Sequence, residues 1–73
     1  MVLSELKVGE TCRIKRISLS PKIKDKLQCF GMTEGVRITL IRKAPFGGPF
    51  EIKLRDFYMS IRKREADNVL VTI

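Results

Sequence analysis

Residues 20–35 read Ser-Pro-Lys-Ile-Lys-Asp-Lys-Leu-Gln-Cys-Phe-Gly-Met-Thr-Glu-Gly, and the fold turns on them. Ser20 is a favoured N-cap because its hydroxyl accepts a bond from an orphan N–H of the first turn. Pro21 suits the first helical position, where no N–H is needed. Ile23, Leu27 and Phe30 stand at i, i+4 and i+7, which puts them on one face of a helix. Lys22, Lys24, Asp25, Lys26 and Gln28 fill the remaining positions. Gly31 follows as the left-handed residue that stops the helix. A helix of about three turns does not stand alone in water, so this one must dock on other structure.

That other structure reads as short strands. Upstream, Leu3 to Val8 is a lead-in and Val8-Gly9-Glu10 a turn into a first strand, Thr11–Ile17. Cys12 and Ile14 face one way there, Arg13 and Lys15 the other. Ile17 is out of phase, which requires either a bulge or a strand end at Arg16. Downstream, Thr33-Glu34-Gly35 leads into a second strand, Val36–Arg42. Val36, Ile38 and Leu40 point inward; Arg37, Thr39 and Ile41 take the outward register. Ala44-Pro45-Phe46-Gly47-Gly48-Pro49 breaks helix and strand alike and reads as a hairpin loop. Strand three, Phe50–Leu54, alternates cleanly with Phe50, Ile52 and Leu54 inside. After a tight turn at Arg55-Asp56, strand four runs Phe57–Arg62 with Phe57, Met59 and Ile61 inside. Arg64–Asn68 reads as one helical turn and Val69–Ile73 as a last β segment. The expected fold is mainly β: a small barrel of about five strands with a helix between strands one and two. No repeat, low-complexity tract or linker interrupts residues 1–73, so a single domain is expected.

Composition narrows the function. The 73 residues carry 15 Lys and Arg against 8 Asp and Glu, a net charge of +7, with a pI near 9.9. Such an excess favours an acidic partner: nucleic acid, an anionic membrane surface or an acidic protein face. A transmembrane helix needs roughly 20 apolar residues, and no run here approaches that length. Met1–Glu5 does not open a signal peptide, so a cytoplasmic chain with two free thiols, Cys12 and Cys29, is expected. The plain reading of both cysteines is as small hydrophobes.

Catalysis finds little to work with. Histidine is absent, which removes the commonest general base and metal ligand. The carboxylates are scattered over turns and surfaces, and no phosphate-loop pattern precedes a helix. The cysteine spacing fits no zinc or redox motif, leaving only a site assembled in space from Cys12, Cys29 and an acid. Neither enzyme activity nor a cofactor is therefore expected. The hairpin loop says more. Phe46 lies between Pro45 and Gly47, where an aromatic either plugs a barrel end or waits for a partner. Lys22, Lys24 and Lys26 fan over the exposed arc of the helix, and Arg62-Lys63-Arg64 forms a second basic spot. Binding becomes the better reading if the fold brings the two spots together. Lys22, Lys24, Lys26, Pro45, Phe46, Gly47 and Gly48 are the candidate contact residues.

The ordered motifs resemble the FeoA family. Leu6, Val8, Gly9 and Glu10 form an early L-x-V-G-E. Lys26–Gly35 gives K-L-Q-C-F-G-M-T-E-G, Ala44–Pro49 gives A-P-F-G-G-P, and Ile61–Val71 gives I-R-K-R-E-A-D-N-V-L-V. The match runs from Leu3 to Val71. Asp56 departs from the pattern where the family commonly has Gly, Phe30 replaces a frequent Leu, and Cys29 sits at a variable site. The resemblance implies an SH3-like barrel. It also implies an accessory role in bacterial ferrous iron uptake, on the cytosolic side of FeoB, the membrane GTPase transporter. The alternative from composition is a small basic barrel that binds nucleic acid, with Tyr58 as its one outward aromatic platform. A third expectation is weak self-association through Ile41 on an edge strand.

Overall fold

Alternating apolar residues build five antiparallel strands in the computed structural model, which describes residues 1–73. β1 (Thr11–Ile17), β2 (Arg37–Lys43), β3 (Phe50–Leu54), β4 (Phe57–Ile61) and β5 (Val69–Thr72) form one sheet in the order β4-β3-β2-β1-β5. Helix α1 (Pro21–Cys29) joins β1 to β2, and the single turn α2 (Lys63–Ala66) joins β4 to β5. The buried residues are all apolar and form one cluster drawn from every strand, from α1 and from both ends of the chain. The expected mainly β architecture is therefore present.

Two bulges curl the sheet around that cluster. β1 pairs with β2 through Thr11–Arg13 and with β5 through Arg13–Ile17, with a register shift between Ile14 and Arg16. The extra residue returns Ile17 to the core, which resolves the phase break in favour of a bulge. A second shift lies between Leu40 and Arg42, opposite Ile52 and Glu51 of β3. It leaves Ile41 half-buried. β2 is the central strand of the sheet, so Ile41 does not lie on an edge strand as expected.

Helix α1 forms where its caps demand. The Ser20 hydroxyl accepts the Ile23 N–H at 3.4 Å, and Pro21 opens the first turn. At the other end Gly31 takes φ 91°. The Gly31 N–H then bonds the Gln28 carbonyl at 2.9 Å, and the Met32 N–H bonds the Leu27 carbonyl at 3.1 Å. These are the paired closing bonds of a glycine-stopped helix. Leu27 is buried and Ile23 packs against the core. Phe30 does not share their face as expected: it is the C-cap residue, and 48% of its surface is exposed. The reversal at Gly31 hands its place to Met32, which is fully buried.

The chain ends are more structured than a lead-in. Leu3–Glu5 makes a 3-10 turn whose first N–H, from Val2, is capped by the Glu5 carboxylate at 2.8 Å. Leu3 and Leu6 are fully buried. Val2 bridges Leu70, and the Val71 N–H donates to the Met1 carbonyl at 2.8 Å, so this segment covers the outer side of β5.

Elsewhere boundaries shift slightly. β2 starts at Arg37, not Val36, and ends at Lys43; β4 ends at Ile61; and α2 starts at Lys63. Along β4 only Ile61 is buried, while Phe57 is 37% exposed and Met59 half-buried. The strand lies at the sheet's edge, where one flank has no neighbour to cover it. In the β3–β4 turn the left-handed residue is Arg55, at φ 55°, rather than Asp56.

Candidate functional site

The loop between β2 and β3 is held in a fixed shape by its own backbone. The Ala44 N–H donates to the Pro49 carbonyl at 3.0 Å, and the Gly48 N–H to Pro45 at 3.2 Å. Phe46 and Gly47 are both left-handed, at φ 58° and 72°. A Cβ on Gly48 would lie 2.7 Å from the Ala44 Cβ, so this position accepts only glycine without movement. The turn throws the Phe46 ring fully into solvent, so it does not plug the barrel. Left-handed backbone at a non-glycine residue costs about 1–2 kcal/mol, which the closed loop must sustain.

Beside this loop runs an open groove of about 1080 Å³. One wall is α1, through Ser20, Lys22, Ile23 and Lys26. The other comprises Ser60 and Ile61 of β4 with Arg62 to Glu65, and Gly47 to Pro49 close one end. The two basic spots separated in sequence therefore face one depression. Of the expected contact residues, Lys22, Lys26, Gly47 and Gly48 line it. Lys24 is half-buried and lies outside the lining, while Pro45 and Phe46 precede the lining part of their loop. Ser20, Ile23, Ser60 and Glu65 were not foreseen. Nothing in a linear pattern marks them, because only the fold brings α1 and the end of β4 to one groove.

The groove is short of negative charge. Its only acid, Glu65, accepts the Arg62 backbone N–H at 2.9 Å and so caps α2. Lys63 makes the chain's one salt bridge, to Asp67 at 3.3 Å. The Asp67 carboxyl is held below its usual value, first by the Ser4 hydroxyl, against an opposing desolvation, and then by the Lys63 ammonium. Lys22, Lys26, Arg62 and Arg64 are all exposed and have no ion pair.

No group of three His, Cys, Asp or Glu is placed to hold a metal ion. Cys12 is buried and Cys29 exposed, and the two form no such group with an acid. Burial, with a smaller push from Glu10, raises the Cys12 thiol to about 11. At pH 8 one thiol, Cys29, is expected to react rapidly with a disulfide reagent and the second only after denaturation. Two fast thiols in the native protein would contradict the packing around Cys12.

On the outer sheet surface Tyr58 is 57% exposed, with the Lys53 ammonium 5.8 Å from its ring centroid. Arg13 and Arg37 stand opposite each other across β1 and β2. This surface is basic but offers one ring, where single-strand binding uses successive stacking platforms.

The chain matches the FeoA domain family model over residues 1–73. Among solved structures it is similar to a FeoA protein from Chlorobium tepidum, with 30% identity and a TM-score of 0.95, covering 100% of this chain and 70% of that one. It is also similar to iron(II) transport protein A from Clostridium thermocellum, with 37% identity and a TM-score of 0.92, covering 100% of this chain and 45% of that one. A zinc complex of Stenotrophomonas maltophilia FeoA aligns at 24% identity and a TM-score of 0.82, covering 99% and 89%. That protein is described as a prokaryotic SH3 domain protein with a candidate role as a ferrous iron transport activating factor, and at that identity the likeness speaks for the SH3-like fold. No curated protein matches the chain.

Proposed function

The chain belongs to the FeoA family, and on that premise we propose that it is a non-catalytic accessory protein of bacterial ferrous iron uptake. It acts in the cytoplasm by binding the cytosolic part of a FeoB-type membrane GTPase and supporting its activity. The observation that carries this reading is the groove between α1 and β4. It gathers Lys22, Lys26, Arg62 and Arg64, none of them in an ion pair, beside a closed loop that presents Phe46. Cations without partners raise the rate of encounter with an acidic protein face, and an exposed aromatic on a preformed loop supplies an anchor. The description of the Stenotrophomonas FeoA as a candidate transport activating factor points the same way.

The test is titration of labelled protein with the soluble G domain of the matching transporter, with a single-stranded oligonucleotide as control. Phe46→Ala is expected to weaken G-domain binding by about 1–2 kcal/mol, roughly five- to thirty-fold. Its melting temperature should hold, because the ring packs against nothing. Unchanged affinity would remove Phe46 from the interface. Salt-sensitive shifts around Tyr58 with the oligonucleotide, and none with the G domain, would transfer the chain to the nucleic-acid reading.

A further inference from the structure

The two edges of the sheet are treated differently. β5 is covered by the N-terminal segment through the Val2–Leu70 bridge and the Val71–Met1 hydrogen bond. β4 pairs with β3 alone. A two-residue hairpin closes on a hydrogen-bonded pair, here Leu54 with Phe57, and such pairs recur at every second residue. Ile52–Met59 and Phe50–Ile61 are therefore the other bonded pairs. Tyr58 and Ser60 turn their N–H and C=O groups to the free flank, and no backbone hydrogen bond outside the ladder reaches either residue. The usual protections of an edge are missing: β4 reads Phe-Tyr-Met-Ser-Ile, with no charge, no proline and no register shift.

We propose that β4 is a docking edge for an extended, acidic segment of a partner protein, which adds to the sheet as a sixth strand. The proposal rests on the accessory reading above and names the form of the contact. Its warrant is that the bare edge and the positive groove are contiguous: Ser60 and Ile61 line the groove together with Lys22, Lys26, Arg62 and Arg64. Backbone pairing to Tyr58 and Ser60 supplies affinity without regard to sequence, and acidic side chains at alternate positions meet the groove cations. Charge also decides between occupants. A second copy would bring its own +7 and its own Arg62-Lys63-Arg64 against the same flank. An acidic strand meets no such repulsion.

The test uses a blocked eight-residue peptide alternating glutamate with threonine, its lysine–threonine counterpart, and the transporter's G domain. Hydrogen exchange is read at the Tyr58 and Ser60 amides in the full chain. The acidic peptide is expected to slow exchange at both amides and the basic one to leave them unchanged. Ser60→Pro removes one outward donor at an edge position that tolerates proline, and should weaken peptide binding at least tenfold with the melting temperature retained. Ser60→Ala, which keeps the N–H, should bind as the parent does. Protection absent from Tyr58 and Ser60, or affinity indifferent to Ser60→Pro when the protein is folded, overturns the edge. Protection that appears with rising protein concentration alone gives the edge to a second copy and overturns the acidic partner. G-domain binding that survives Ser60→Pro refutes the edge and leaves the accessory role. A peptide that docks while the G domain does not bind sustains the edge and refutes that role.

Discussion

Leu27→Ala is expected to destabilise the protein by about 2–5 kcal/mol, the range for removing a buried leucine when the site collapses only partly. Leu27 is 4% exposed and is the one fully packed side chain that α1 contributes to the core. Its carbonyl also accepts the Met32 N–H, so side chain and backbone meet at one joint between helix and sheet. A chain of this length has a total stability of roughly 4–11 kcal/mol at the usual per-residue range. The substitution thus removes a large share of it. With about 4–8 °C lost per kcal/mol in a domain this small, the melting temperature should fall by about 8 °C or more. Thermal and urea denaturation followed by circular dichroism measure it. A loss well under 2 kcal/mol would mean that α1 is dispensable to the core.

Gly31→Val is the second large effect, expected at about 1–3 kcal/mol. Space is not the reason. A Cβ at Gly31 would meet only the Leu54 Cδ2, at 3.8 Å, which is ordinary contact. The cost is in the backbone: φ is 91°, and a β-branched residue resists positive φ. Relaxing φ would break the bonds from the Gly31 and Met32 amides to Gln28 and Leu27 and withdraw Met32 from the core. Gly31→Asn separates the two explanations, since asparagine tolerates the left-handed region and should cost clearly less than valine. Equal losses for both would point to packing instead. A parent-like melting temperature for the valine variant would show that the turn can be made another way.

Local rules carried most of the secondary structure. Ser20, Pro21 and Gly31 marked the helix because caps and stops act within a few residues. Cys12 with Ile14, and Phe50 with Ile52 and Leu54, marked strands because period-two burial is also local. Phe30 misled for the same reason. Helical spacing was extended one residue past the point where the backbone leaves the helix, and only the Gly31 geometry decides that Met32 goes inside. Leu3 and Leu6 gave no periodic signal, since each owes its burial to distant strands. Ile41 could be assigned an edge in one dimension, whereas strand order is a property of the whole sheet.

The candidate site divides along the same line. By itself the sequence determined that the chain is small, basic, free of histidine and mainly β, and that an aromatic sits in a Pro- and Gly-bounded loop. Those are statements about residue type and near neighbours. The tertiary structure alone decided that Lys22 and Lys26 face Arg62 and Arg64 across one groove, while Lys24 turns away from it. It alone decided that Phe46 stands in solvent and that β4 keeps a bare edge while β5 is covered. Charges about forty residues apart meet only when the sheet has curled and the helix has docked, and that closure is set by long-range burial, which no local pattern encodes.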